Sequence, residues 1–126
     1  MLEIGLTAKS TTEVNTSNTA ISLGSGDLDV FATPAMIALM ENAAMNAVGA
    51  ELPEGSTTVG TSMTSSHIKA SGIGAQISAI ATVTAVEGRM ISFKVEAYDT
   101  ETLIGEGQHT RFIVDRDKFM QKVKSL

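Results

Sequence analysis

Hydrophobic residues recur every three or four positions in the middle of the chain, and they alternate with polar residues over much of its second half. The first pattern extends from Met36 to Val48 and predicts one amphipathic helix. Thr33 and Pro34 indicate where this helix begins, because Thr is a good N-cap and Pro is tolerated in the first turn. Gly49 indicates where it ends. We therefore expect one long helix with an apolar side to bury.

The alternating pattern predicts strands on either side of that helix. Residues 2–14 suit a first strand because they are rich in Thr, Val, Ile and Leu. After them, 15–29 has the composition of a loop with room for a short strand at 20–23. A second, amphipathic helix is expected at 115–126, where acidic residues come first and lysines follow. Four more strands are expected at 57–69, 76–86, 90–99 and 103–114, with hairpin turns at 87–88 and 100–102.

The order of these elements predicts the fold class. Strands joined by hairpins form antiparallel sheets. A sheet of this kind and a helix with one apolar side bury each other in two layers. With 126 residues the chain is long enough for one such core but not for two. We therefore expect a single α+β domain over residues 1–126, with an antiparallel sheet around one long central helix.

Composition and charge narrow the function classes. A net charge of −5 argues against a nucleic-acid partner, because phosphates are bound by basic surfaces. The absence of Cys excludes a thiolate nucleophile and a zinc–thiolate site. No signal-peptide pattern and no apolar run of roughly 20 residues is present, so we expect a cytoplasmic protein without a membrane partner. With four Phe, one Tyr and no Trp, a small core gains burial by self-association, which predicts a homodimer.

Two candidate catalytic residues lie on the predicted helix. A helix advances about 100° per residue, so Glu41 lies roughly 120° from the side marked by Asn42 and Asn46 and next to the apolar Ile37. A carboxylate in that place can be partly desolvated and act as base or nucleophile. A glutamate whose stem packs while its head reaches water fits equally well. Thr33 serves as a cap or, beside the free N–H groups of a helix start, faces a developing oxyanion.

The third candidate is His67, in a strand rich in Ser and Thr. Its strand face is expected to carry Val59, Met63 and Ser65 as well. A lone histidine is more often structural than catalytic. Here, however, a hydroxyl, a carboxylate and an imidazole come from a helix start, a helix body and a strand, and they can converge on one reacting carbonyl. The other histidine, His109, lies two residues before Arg111 in a glycine-containing strand, where glycine suggests close backbone approach or a bulge.

Several stretches of the chain resemble one known family. They are Phe31-Ala32-Thr33, Leu39-Met40-Glu41, Val59-Gly60-Thr61 continuing to His67, Val86-Glu87-Gly88-Arg89, and Ile104-Gly105-Glu106-Gly107 continuing to His109 and Arg111. With the strand–helix–four-strand order, they make the chain similar to the hotdog-fold acyl-CoA thioesterases. Within these it looks like the fluoroacetyl-CoA thioesterase branch, and the likeness extends over nearly the whole chain.

The resemblance implies a fold, a reaction and a set of site residues. In that branch the Thr, Glu and His that correspond to Thr33, Glu41 and His67 form the catalytic constellation. Gly60 and Arg111, together with His67, are implied as contacts to the substrate or its coenzyme A portion. Coenzyme A enters only as part of the acyl-CoA substrate, and no metal or other cofactor is implied. Hotdog proteins dimerise by joining sheets edge to edge, which puts the active sites at the dimer interface.

One departure limits what the resemblance implies about specificity. The fluoroacetyl-specific enzyme has bulky apolar residues, phenylalanine among them, before its Phe-Ala-Thr motif, and these cover the acyl pocket. The corresponding segment here, 23–30, has no aromatic residue. A preference for fluoroacetyl-CoA is therefore not implied, whereas the hydrolysis of a thioester is.

Two alternative functions stay open on the sequence alone. Hydratases and dehydratases of acyl thioesters share the hotdog fold and need a carboxylate and a histidine, which this chain also has. A module that binds coenzyme A or an acyl ligand without turnover is the second alternative. In that case Glu41 and His67 would be ordinary polar residues of the pocket wall.

Overall fold

The chain folds into one five-stranded antiparallel sheet packed against one long helix. The computed structural model describes all 126 residues. The elements are β1 (Thr7–Glu13), α1 (Ala20–Leu23), α2 (Thr33–Val48), a 3-10 turn (Gly49–Glu51), β2 (Ser56–His67), β3 (Gln76–Glu87), β4 (Met90–Asp99), β5 (Thr102–Asp115) and α3 (Arg116–Lys124). The strand order in the sheet is β1-β3-β4-β5-β2, so β1 and β2 form its two edges. This confirms the α+β class and the antiparallel sheet around a central helix.

The core lies between α2 and the inner face of the sheet. The side of α2 predicted to be apolar is the side that is buried, and β3 and β4 bury alternate residues as period-two strands do. Alanines on both α2 and β3 leave little side-chain bulk between the two layers. None of the three helices is long and apolar enough to cross a bilayer. The largest contributions to this core come from Phe31, Met36, Met40, Ile77, Ile91, Phe93 and Ile104.

A β-bulge interrupts the pairing of β2 with β5. Gly60 pairs with Arg111 and Ser62 pairs with Thr110, so Thr61 is an extra residue on β2. Because side chains alternate between the two faces of a strand, one extra residue exchanges the faces on either side of it. Gly60 therefore shares the helix-facing side with His67. The expectation that Val59 lies on the face of His67 is wrong for this reason.

Two local predictions are also corrected. Residues 20–23 form a short helix rather than a strand, because the Thr19 side chain accepts a hydrogen bond from the Ser22 N–H and Gly24 closes the turn with a φ of +72°. At the start of α2 the N-cap is Ala32, and no side chain caps the helix. Thr33 is the first helical residue, so its hydroxyl is available for another partner.

Replacing Gly107 with Ala tests the close approach of β5 to β2. An added Cβ at Gly107 would overlap the backbone of Thr64 and Ser65, so the strands must separate. We expect the free energy of unfolding to fall by about 2 kcal/mol or more, as in overpacked cores. Urea denaturation measures this change. At Gly72 nothing lies within 4 Å of an added Cβ, and Gly72→Ala should stay within about 0.5 kcal/mol. Equal losses for the two variants would contradict the close approach.

Candidate active site

Thr33 and His67 form a hydrogen-bonded pair where the first turn of α2 meets the end of β2. The Thr33 Oγ1 lies 2.8 Å from the His67 Nδ1. The pair is part of the wall of a cavity of about 240 Å³. The backbone N–H groups of a first helical turn lack partners within the helix and carry positive partial charge. The rest of the cavity wall is mostly apolar and includes Ala20, Val30, Phe31, Ile68 and Ala70.

The surroundings of His67 favour its neutral form. Burial lowers the pKa of His67 below its usual 6.5. The nearby backbone of Lys69 raises the pKa of His67 in part. It does not reach hydrogen-bonding geometry with the His67 Nε2. The rings of His67 and Phe31 pack edge to face, with their centres 6.4 Å apart. Nε2 is buried and has no partner within the chain, an arrangement that costs about 1–3 kcal/mol and is more typical of functional positions than of cores.

Glu41 lies in a different place from this pair. It follows Thr33 by eight residues on α2, which puts it about 12 Å further along the helix axis. Its half-buried carboxylate forms part of a second cavity of about 390 Å³, together with Thr58, Gly60 and Arg111. No residue belongs to both cavities. Within the chain the structure therefore brings Thr33 to His67 and Glu41 to Gly60 and Arg111, but it does not bring the two groups together.

Arg111 is held in a network of neutral acceptors beside Glu41. Its guanidinium donates from Nε to the Thr58 Oγ1 at 2.8 Å and from Nη2 to the Thr58 carbonyl at 2.9 Å. Nη1 lies 3.2 Å from the His109 Nε2, and the His109 Nδ1 lies 2.7 Å from the Ser62 carbonyl. Burial lowers the pKa of Arg111, and the charge of Glu41 opposes that fall. No carboxylate oxygen lies within 4.0 Å of the guanidinium.

The sequence placed His109 and Arg111 on one strand face but did not identify Thr58 and Ser62 as their partners. The bulge at Thr61 turns the Thr58 side chain to the face of Arg111, and Ser62, the residue after the bulge, takes part through its backbone carbonyl. Gly60 was the available signal, since an isolated glycine in a strand often marks a bulge. No group of three or more His, Asp or Glu side chains is placed to hold a metal ion.

Comparisons with known proteins point to one group of thioesterases. A model of the fluoroacetyl-CoA-specific thioesterase family matches residues 14–117. The fluoroacetyl-CoA thioesterase of Streptantibioticus cattleyicolor is 36% identical over 96 residues, which are 76% of this chain and 69% of that protein. The structure of the fluoroacetyl-CoA thioesterase FlK is similar with a TM-score of 0.93 at 30% identity, covering 99% of this chain and 97% of that one. A thioesterase superfamily member from Thermus thermophilus has a TM-score of 0.90 at 25% identity, covering 99% and 93%.

An NMR titration of the imidazole protons tests the environment of His67. Because burial disfavours the charged ring, we expect a midpoint below 6.5, so that the ring is neutral at pH 7 and becomes charged only as the pH falls further. The chain has only two histidines, so the signal that disappears in His67→Asn identifies the residue. A His67 midpoint at or above 6.5 would contradict the buried, neutral ring.

Proposed function

The chain belongs to the fluoroacetyl-CoA-specific thioesterase family, and on that premise we propose which of its residues carry out the reaction. The protein is an acyl-CoA thioesterase: it adds water across the carbon–sulfur bond and releases the free acid and coenzyme A. The thioesterase predicted from the sequence is thereby confirmed. Family membership favours hydrolysis over the hydratase and over the binding module.

We assign the chemistry to Glu41, Thr33 and His67. The Thr33–His67 hydrogen bond is the observation that carries this assignment, because it ties an otherwise lone histidine to the start of α2. If the Thr33 hydroxyl donates to Nδ1, then Nε2 of the neutral ring carries the proton and can give it to the departing sulfur. Glu41 attacks the carbonyl or activates the water that does so. The developing oxyanion accepts hydrogen bonds from backbone N–H groups at the start of α2 or at Gly60.

The separation of these residues within one subunit supports a homodimer with shared sites. The outer edge of β2 carries backbone groups that no strand of the same chain pairs, and a second copy can join it there. In an antiparallel pair of identical strands, a two-fold axis close to Met63 puts His67 opposite the partner's Gly60. Since Gly60 adjoins Glu41, the Thr33–His67 pair of one subunit then faces the partner's Glu41.

The remaining features of the proposal concern substrate and setting. The substrate is an acyl-CoA, and a fluoroacetyl preference is not assigned. In the segment before Phe31 the one large apolar side chain after α1, Leu28, is 64% exposed rather than folded over the cavity. We further propose that residues 1–126 act as one hotdog domain in the cytoplasm, and that coenzyme A is needed only as part of the substrate.

Glu41→Gln tests the assigned carboxylate. The variant keeps the shape of the side chain but removes the charge, so we expect kcat for an acyl-CoA to fall by about 10²–10⁴-fold while the thermal unfolding midpoint changes little. Thiol release measured across short, long and aryl acyl-CoAs gives the comparison. Glu54→Gln, in the exposed turn before β2, is the matched control and should keep parental activity. If Glu41→Gln hydrolyses acyl-CoA as fast as the parent, the assignment is wrong.

Mixing two inactive variants tests the shared site. A heterodimer of Glu41→Gln with His67→Asn has one site in which both the carboxylate and the imidazole are intact. After equal mixing and refolding, about half of the dimers are heterodimers, and one of the two sites in each heterodimer is intact. About a quarter of the parental activity should therefore return. Sites built within single chains predict no recovery at all. Size-exclusion chromatography of the mixture verifies that dimers have formed.

A further inference from the structure

We propose that Arg111 and His109 are positioning residues that act on the carboxylate of Glu41, and that Arg111 does not bind the phosphates of coenzyme A. This inference rests on the proposed role of Glu41 in hydrolysis. It departs from the direct substrate or coenzyme A contact that family resemblance implies for Arg111.

The bulge at Thr61 fixes the tautomer of His109. The Ser62 carbonyl lies 2.7 Å from the His109 Nδ1. A carbonyl can only accept a hydrogen bond, so Nδ1 carries the proton. Burial, helped by the charge of Arg111, lowers the pKa of His109, while the hydrogen bond to Ser62 and the charge of Glu41 offset part of the fall. The net fall favours the neutral ring, which leaves a lone pair on Nε2. That lone pair accepts from the Arg111 Nη1 at 3.2 Å, and Phe93, stacked on the ring, helps to hold it in place.

Thr58 fixes the other side of the guanidinium. It accepts one hydrogen bond through its hydroxyl and one through its carbonyl. An arginine has five N–H donors, so these bonds and the one to His109 leave two N–H groups, one on each terminal nitrogen. Arg111 is only 7% exposed, whereas the phosphates of coenzyme A are highly charged and strongly hydrated. A guanidinium that is held inside the protein on three sides is poorly placed to meet them.

The Arg111 Nη1, which keeps one of these two N–H groups, lies near the Glu41 Oε2 because Gly60 has no side chain between them. A Cβ on Gly60 would lie 2.8 Å from the Glu41 Oε2 and 3.4 Å from the Arg111 Nη1. The two charged atoms are therefore no further apart than the sum of these distances, yet more than 4.0 Å apart. At this range a buried guanidinium attracts the carboxylate without forming a closed ion pair. The carboxylate is thus oriented but still free to react.

Steady-state kinetics with two substrates separates orientation of Glu41 from phosphate binding. An acyl-CoA is compared with the same acyl group on pantetheine, which lacks the phosphates of coenzyme A. For Arg111→Gln we expect kcat to fall about 30- to 100-fold with both substrates, while KM for each changes less than about 3-fold. Arg111→Lys keeps the charge but loses the planar fork, so it should recover part of kcat. Arg116→Gln, at the exposed start of α3, is the matched control with parental kinetics.

A double-mutant cycle tests whether Arg111 acts through Glu41. In a Glu41→Gln background, Arg111→Gln should reduce the residual rate less than about 3-fold, because the charge on which it acts is gone. Thr58→Val and His109→Asn each remove one acceptor of the guanidinium. His109→Asn retains an amide that can donate to the Ser62 carbonyl. Each should lower kcat by about 3- to 10-fold in the parent and have little effect in Glu41→Gln.

Three results would overturn the inference. The first is a rise in KM for acyl-CoA alone with the pantetheine thioester unaffected. The second is a loss from Arg111→Gln that is just as large in the Glu41→Gln background. The third result applies if circular dichroism shows that Arg111→Gln does not fold. It is an unchanged kcat in both Thr58→Val and His109→Asn. A parent that releases no thiol from any acyl-CoA, or a fully active Glu41→Gln, would instead overturn the proposed function.

Discussion

The bulge at Thr61 is the constraint on which the arrangement of the polar groups depends. Gly60 and His67 are seven residues apart, so in a regular strand their side chains would point to opposite faces of the sheet. The extra residue between them puts both on the face that meets α2. His67 can then reach Thr33, and the missing side chain of Gly60 leaves room for Glu41. One inserted residue in one strand thus decides on which side of the sheet the proposed site residues lie.

Different sides of the long helix α2 carry the core residues and the proposed site residues. One side, with Met36, Met40 and Val48, is buried in the core, and its loss would affect stability first. Thr33 and Glu41 lie outside that stripe, two turns apart, each beside a different part of β2. In the homodimer proposed above, the hydroxyl at the start of one helix faces the carboxylate at the centre of the other.

Prediction from the sequence succeeded where structure is set locally and failed where it is set by distant contacts. The limits of α2 and of β3 came within a residue or two of the predicted ones, because hydrophobic period and turn residues act over a few positions. The four residues of α1 are too few to show the hydrophobic period of a helix. Thr33 was expected to cap α2, but its hydroxyl bonds to His67, which is 34 residues away in sequence. The partners of Arg111 depend on the bulge, which alternation alone does not show.

The neutral surroundings of Arg111 explain how a buried charge can serve the site. Burying a guanidinium is costly unless its hydrogen bonds are satisfied, and a carboxylate is the usual partner. Here Thr58 and the His109 ring, both uncharged, satisfy the hydrogen bonds without neutralising the charge. A protonated His109 would repel the guanidinium and lose its acceptor, so the low pKa of the ring is part of the same arrangement. The positive charge is consequently not neutralised by these partners, and it faces Glu41, the carboxylate to which we assign the reaction.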